Sequence, residues 1–243
     1  MNTQPISKPV HNADGVLEVH SIFYTIQGEG PFCGRSAVFV RLWGCNLQCP
    51  GCDTEYTATR ESVHFTDLLR KVKAAHGAAK RPIVVITGGE PLRQNLTPFV
   101  RSLVTAGYDV QIETNGTLPL SPGLENYAST TVDHDVDPGP SCYIVCSPKA
   151  GKVNKLLEPY ILAYKYVGDD KLMEDGLPKT ALDHTAHPHV ARPHATYRGV
   201  IYLQPMDAHN EEQSLKNAQA CIASVMEHGY TLQVQVHKVI SVE

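Results

Sequence analysis

Residues 36–54 read SAVFVRLWGCNLQCPGCDT. Ser36 to Trp43 is dense in β-branched and aromatic residues, the composition of a buried strand, and it runs directly into a loop carrying Cys45, Cys49 and Cys52. Three thiolates in a C-x3-C-x2-C spacing supply three corners of an iron-sulfur cubane and leave the fourth iron without a protein ligand, open to chelate a cofactor. Structural zinc normally takes four ligands and ordinary ferredoxin clusters take four cysteines. A triplet followed by Asp53 and Thr54 therefore suits a reactive site better, with a zinc knuckle or incidental thiols as the alternatives.

Away from that stretch the same arrangement recurs. Ile83 to Ile86 is a short apolar run ending in Thr87-Gly88-Gly89-Glu90-Pro91, where the glycines let a ligand approach the backbone. Asp109 to Glu113 leads into Thr114-Asn115-Gly116, and Tyr143 to Cys146 leads into Ser147-Pro148-Lys149. Ile161 to Val167, Gly199 to Leu203 and Thr231 to His237 complete the expected strands, with Gln204-Pro205-Met206-Asp207 after the penultimate one. Helical spacing occupies Asp67 to His76, Leu96 to Ala106 and about Glu211 to His228. This alternation predicts an α/β fold with parallel strands. In such sheets and barrels functional groups gather at the carboxyl ends of strands, which is where these polar motifs fall. Gly168 to Arg198 is rich in His, Pro and Asp, shows little periodicity, and reads as a surface excursion.

A chain of 243 residues with 42% hydrophobic composition can bury one substantial core, and one domain is expected. The net charge of -4 with dispersed basic residues argues against a nucleic-acid tract or a polybasic membrane anchor and favours a small-molecule partner. No apolar run reaches membrane-spanning length, and MNTQPISKPVHNADG lacks the features of a secretory signal, so a soluble, cytoplasmic protein is expected. Seven cysteines in such a setting read as thiols or metal ligands rather than disulfides.

GCNLQCPGCDT followed by TGGEP resembles the signature order of the radical S-adenosylmethionine (SAM) superfamily. With TIQGEG (Thr25 to Gly30), VFVRLWGC, CDTEYT, VVITGGEP, IETNGT, CSPK, YLQP and QVHK, the chain is similar to the 7-carboxy-7-deazaguanine synthase family of the queuosine and 7-deazapurine pathways. The resemblance implies a homodimer of single-domain, modified and incomplete (β/α)6-type barrels. It also implies a reduced 4Fe-4S cluster on Cys45, Cys49 and Cys52 that passes one electron into SAM, releasing methionine and a 5'-deoxyadenosyl radical. That radical takes hydrogen from 6-carboxy-5,6,7,8-tetrahydropterin, the ring contracts, ammonia leaves, and SAM is regenerated. A flavodoxin- or ferredoxin-type protein is the implied reductant.

Residue by residue, the resemblance assigns SAM contacts to Gly51, Cys52, Asp53, Gly88, Gly89, Glu90, Glu113, Asn115, Ser147, Pro148, Lys149, Gln204, Pro205, Met206 and Asp207. It assigns Mg2+ to Thr54, whose hydroxyl suits a hard cation. Pterin contacts fall to Ile26, Gln27, Gly28, Arg41, Thr87, His237 and Glu243, with the planar fork of Arg41 matched to the substrate carboxylate. Gly51 departs from the aromatic residue that many members carry before the third cysteine. A glycyl-radical activating enzyme would share the cysteine triplet and TGGEP but not the CDT and QxHK pair. A non-catalytic iron-sulfur or zinc protein would leave the strand-end motifs without work.

Cys142 and Cys146 share one strand face and read as small buried hydrophobes, not an auxiliary cluster, and the isolated Cys33 and Cys221 read as structural. His184, His187, His189 and His194 have no evident supporting shell and read as a solvated loop.

Overall fold

The computed structural model describes residues 2–10, 14–132, 139, 141–182, 184 and 186–242. Its strands are β1 (Val16–Ile26), β2 (Ser36–Leu42), β3 (Glu61–His64), β4 (Ile83–Gly88), β5 (Val110–Thr114), β6 (Ala128–Ser129), β7 (Cys142–Cys146), β8 (Ile161–Gly168), β9 (Val200–Pro205) and β10 (Thr231–Leu232). They form one open mixed sheet in the order β10-β9-β8-β7-β5-β4-β2-β1-β3, with β6 beside β7. Every pairing from β2 to β10 is parallel, so those strands end along one rim, whereas β1 is antiparallel to both β2 and β3.

The helices are α1 (Phe65–His76), α2 (Thr97–Thr105), α3 (Glu211–His228) and the short α4 (Val236–Val239). The boundaries of α3 follow from its ends. Asn210 caps it by accepting from Gln213 N, Glu211 and Glu212 complement the helix dipole in the first turn, and Gly229 leaves it at φ 73°.

The two-residue period of the strands sorts side chains between two environments. Val38, Val40 and Leu42 of β2, Val84 and Ile86 of β4, and Val110 and Ile112 of β5 join the larger core with Leu68, Val72, Phe99 and Leu103 of the helices. Each fully buried aliphatic or aromatic side chain there contributes about 1.5–3 kcal/mol relative to exposure. The alternate positions face the other side of the sheet. At the amino ends of the strands Ala37, Ile83, Val85 and Tyr143 pack with Phe32 into a second cluster, and toward the carboxyl ends this face lines a cavity.

Three expectations need correction. The expected strands begin at Ser36 to Trp43, but β1 precedes that strand in the sheet; its alternation is broken by Glu18, which is buried because Arg93 reaches it at 2.8 Å and Arg60 also pairs with it. The expected strand from Thr231 to His237 pairs with β9 only at Thr231–Leu232 and then turns helical at Val236–Val239. Gln233 draws the chain off the sheet edge: its side chain accepts from Gly30 N, and Val236 N then donates to Gly28 O at 3.2 Å. The stretch 168–198 is not only a surface excursion, since Leu177, Ala181, Val190 and Ala191 are buried and Tyr166 Oη donates to Ala191 O at 2.7 Å.

Among the described residues no helix is long and apolar enough to cross a membrane. All seven cysteines are free; Cys142, Cys146 and Cys221 are buried, and Cys33 is exposed.

Candidate functional site

The carboxyl ends of β2, β4, β5, β7, β8 and β9, together with the end of β1, surround a cavity of about 560 Å3. The cysteine loop forms one wall of it. The chain leaves β2, Trp43 N donates to Glu18 O at 2.9 Å, Gly44 turns at φ 81°, and Cys45, Cys49 and Cys52 then all line the cavity. Cys45 and Cys49 are each 8% exposed. Burial, reinforced by the Glu90 charge, pushes the Cys45 thiol up to about 12. Burial alone dominates at Cys49, which is pushed up to about 11 despite Lys149, and it raises Cys52 as well.

Such thiols are protonated near neutrality and become thiolates only when a metal supplies the compensating charge, which makes them ligands in waiting rather than free nucleophiles. The sulfurs around a tetrahedral zinc lie about 3.8 Å apart. Among the described residues no group of three Cys, His, Asp or Glu stands close enough to share one ion. Three cysteines lining one cavity are a donor set suited to three corners of an iron-sulfur cubane.

β4 delivers the glycine pair against this loop. A Cβ on Gly88 would lie 2.1 Å from Leu42 O, and one on Gly89 would lie 2.1 Å from Gly44 O and 2.8 Å from Cys45 Cβ. The strand end thus packs backbone to backbone against Leu42 and the cysteine loop, and this contact by itself demands glycine. Both glycines still line the cavity.

Glu90 lies behind the cavity wall, fully buried. Its carboxyl accepts from Thr114 Oγ1 at 2.7 Å, Asn115 N at 2.7 Å and Leu92 N at 2.9 Å, tying the ends of β4 and β5 together. Burial pushes its pKa up to about 7 against those hydrogen bonds. Asn115 lines the cavity and donates to Asn46 Oδ1 at 3.0 Å, which joins the β5 loop to the cysteine loop.

The remaining expected contacts fall around the same rim. Ser147 and Lys149 follow β7, with Lys149 Nζ donating to Ser147 O at 3.3 Å; burial, and then the charge of Lys165, lowers the Lys149 pKa. Gln204, near the end of β9, and Met206 and Asp207, just after it, line the cavity, whereas Pro148 and Pro205 do not. Gln204 Oε1 is buried with no hydrogen-bond partner among the described residues. Asn217 of α3 steadies this segment, donating to Met206 O at 2.9 Å.

Arg41, Thr87, Ile26 and Gln27 reach the cavity; the Arg41 guanidinium lies 5.3 Å from the Phe23 ring centroid, and its buried Nε has no hydrogen-bond partner among the described residues. Asp53 and Thr54 line the mouth, Thr54 Oγ1 donating to Asp53 Oδ1 at 3.2 Å. His237 lines the cavity from the carboxyl-terminal tail, and Gly28 lies beneath it, where a Cβ would meet His237 Nδ1 at 2.1 Å. Glu243 lies outside the described residues.

Residues 43–137 match the model of the radical SAM superfamily. A 7-carboxy-7-deazaguanine synthase of Rhodospirillum rubrum is 38% identical, the alignment covering 93% of this chain and 92% of that protein. The chain belongs to the 7-carboxy-7-deazaguanine synthase family. Relatives of the same name from Rickettsia prowazekii (35% identity; 97% of this chain, 93% of that protein) and Aquifex aeolicus (32%; 94% and 95%) agree. A crystal structure of QueE from Escherichia coli shares the fold, with a TM-score of 0.63 at 23% identity over 90% of this chain and 94% of that one. The protein is accordingly an enzyme, a radical SAM lyase, and its family implies a 4Fe-4S cluster and SAM.

Within this synthase-family fold the cavity also holds a charged network of which sequence reasoning names Gln27 and Glu113 but not Glu29 or Lys165. Lys165, at a cavity-facing position of β8, pairs with Glu29 and lies 3.8 Å from Glu113. Gln235 Nε2 donates to Glu29 Oε1 at 2.8 Å, and Gln27 and Gln111 donate to Glu113 Oε1 at 3.2 and 2.8 Å. Burial opposes ionisation of Glu29, but the Lys165 charge and hydrogen bond outweigh it and hold the carboxyl at about 2. Burial likewise opposes the Lys165 charge, yet Glu113 and Glu29 together raise its pKa. The available signal was one lysine inside an otherwise apolar parallel strand, ILAYKYVG.

Gly51 also finds its explanation. Its N–H donates to Leu182 O at 3.0 Å, and Leu182, held at φ 52°, itself lines the cavity, so the stretch 168–198 supplies an apolar wall beside the third cysteine. His184 is buried with its ring 4.5 Å from that of His187, and neither of its ring nitrogens has a partner among the described residues; it is not a solvated loop residue.

Proposed function

We propose that this chain converts 6-carboxy-5,6,7,8-tetrahydropterin to 7-carboxy-7-deazaguanine and ammonia, as a step toward queuosine or another 7-deazapurine. The observation that carries the reading is that one cavity is shared by three cysteine thiols, two of them buried, and by the ends of seven strands, with a cationic fork at Arg41. Product and ammonia together account for every atom of the substrate, so no net oxidant is required, which accords with SAM acting catalytically.

In this reading Cys45, Cys49 and Cys52 hold the 4Fe-4S cluster, which with SAM supplies the hydrogen-abstracting radical. Gly88, Gly89, Asn115, Ser147, Lys149, Gln204, Met206 and Asp207 line the SAM side. The unpaired Gln204 Oε1 is suited to a donor on that cofactor. Arg41 receives the substrate carboxylate, and Ile26, Gln27, Thr87 and His237 fix the pterin. Thr54 contributes its hydroxyl to Mg2+, a hard ion that prefers oxygen. Leu182 and the aromatic pair Phe23 and Phe39, stacked at 5.2 Å, exclude water from the reacting centre. The open sheet is taken as an incomplete (β/α)6-type barrel spanning one domain, which works as a homodimer reduced by a flavodoxin- or ferredoxin-type protein.

Anaerobic reconstitution tests the cofactor half of this reading. One cubane's worth of iron and sulfide should bind the native chain and not Cys49→Ala, and SAM should shift the electron paramagnetic resonance of the reduced cluster. A chain that takes up a single zinc and no cluster would exclude the reading.

A further inference from the structure

The cysteine loop is irregular backbone, and its carbonyls have no helix or sheet ladder to accept from. Several of them are served by one segment far away in sequence. Asn2 N donates to Pro50 O at 2.9 Å and Asn2 Nδ2 to Cys49 O at 3.2 Å. Gln4 Nε2 donates to Thr54 O at 2.9 Å, while its Oε1 accepts from Tyr56 N at 2.8 Å and Thr57 Oγ1 at 3.2 Å. Gln48 of the loop reaches back to Gln4 O at 2.7 Å, Ser7 N donates to Cys45 O at 2.7 Å, and Ile6 bridges Cys45 in parallel.

The strap is anchored beyond the loop as well, where Arg93 Nη1 donates to Lys8 O at 2.6 Å and Val10 N to Arg93 O at 2.7 Å. Its side chains alternate as an extended segment should, with Asn2 and Gln4 half-buried against the body and Thr3 and Pro5 exposed. Neither Asn2 nor Gln4 lines the cavity.

We propose that residues 2–7 form a positioning strap for the iron-sulfur loop, in which Asn2 and Gln4 hold the backbone so that the three thiols face the cavity before any cluster is present. A loop already held in its ligating geometry does not have to be ordered when the cluster binds, and it opens less often to chelators or oxidants. Leu182, which engages Gly51 N, and Asn115, which engages Asn46, grip the loop through other atoms, so loss of the strap loosens the loop without freeing it. Asn2 and Gln4 are thus positioning residues that act through Cys45, Cys49 and Thr54. The inference rests on the reading of Cys45, Cys49 and Cys52 as the cluster ligands.

The test compares the full-length wild type with an Asn2→Ala/Gln4→Ala double variant and with Gln4→Glu, which keeps the acceptor for Tyr56 and Thr57 but loses the donor to Thr54. In the cluster-free, reduced chain, iodoacetamide labelling read by peptide mass spectrometry should be about tenfold faster at Cys49 and Cys52 in the double variant. Cys142, Cys146 and Cys221, buried elsewhere, should be unchanged, and Gln4→Glu should fall between. In the reconstituted protein an iron chelator should bleach the double variant's cluster about tenfold faster, with an altered resonance signal of the reduced cluster. Labelling and bleaching rates equal to wild type would overturn the proposal, as would acceleration spread equally over all the buried cysteines. If wild type itself takes up no cluster, the cofactor reading fails, and the labelling contrast alone decides the strap.

Discussion

Replacing Lys165 by Met removes the cation that faces the carboxylates of Glu29 and Glu113. Glu29 and Lys165 have side chains only 12% and 10% exposed, so neither charge is compensated by bulk water. Removing one partner of a buried pair costs about 3–5 kcal/mol, because the other charge stays behind without its counter-ion. For a chain of this size that corresponds to a fall of about 6–20 °C in Tm.

The pH dependence should reverse as well. In the wild type the Glu29 carboxyl is held at about 2, below its ordinary 4.5, so ionised Glu29 contributes stability above pH 4.5 that disappears as pH falls toward 2. That contribution is about 3 kcal/mol by linkage. In Lys165→Met burial is left largely unopposed, Glu29 prefers its protonated form, and the variant should gain stability as pH is lowered from 8 to 5. Circular-dichroism melts of the cluster-free chain under anaerobic, reducing conditions measure both effects. The double variant Lys165→Met/Glu29→Gln should recover part of the loss, with Glu113 accounting for the remainder. A single variant within about 1 kcal/mol of wild type, or a double variant no more stable than the single, would refute the assignment of a strongly coupled buried pair.

Gly89→Ala forces a methyl into Gly44 backbone that cannot rotate away; it should cost about 1–3 kcal/mol in urea unfolding and impair cluster uptake by displacing Cys45. Glu90→Gln sets an amide donor against Asn115 N–H or loses the Thr114 and Leu92 acceptor, a cost of about 1–3 kcal/mol in the same assay. Because burial raises Glu90 to about 7, the protonated wild type is favoured below pH 4.5 and loses that stability as pH rises through 7. Its advantage over the non-titrating glutamine should therefore be larger at pH 5 than at pH 8, and an advantage that grows with pH would count against the buried-carboxyl account.

The strands and helices with clean periodicity were legible from sequence: α3 spans Glu211–His228 as its caps and spacing imply, and β4, β5, β7, β8 and β9 lie where apolar runs end in polar motifs. Missed features depend on partners distant in the chain. β1 was hidden by Glu18, an interior residue only because Arg93, 75 positions away, neutralises it. Lys165 was unassigned because its partner Glu29 is 136 positions away. The glycine pair was correctly placed at the cavity, but its backbone-to-backbone contact with Leu42 and Gly44 is a property of two strand ends, which no local pattern encodes. The tail from Thr231 has strand composition, yet at a sheet edge the Gln233 side chain, not β propensity, decides its course. The cysteine triplet, by contrast, is local, and its three thiols do share one cavity with the motifs the resemblance singled out.

The most direct measurement is anaerobic incubation of the reconstituted protein with SAM, dithionite, Mg2+ and 6-carboxy-5,6,7,8-tetrahydropterin, followed by mass spectrometry beside a Cys49→Ala control. Appearance of 7-carboxy-7-deazaguanine from the intact protein and not from the control is the predicted result. Cleavage of SAM to 5'-deoxyadenosine without any deazapurine would contradict the assigned reaction.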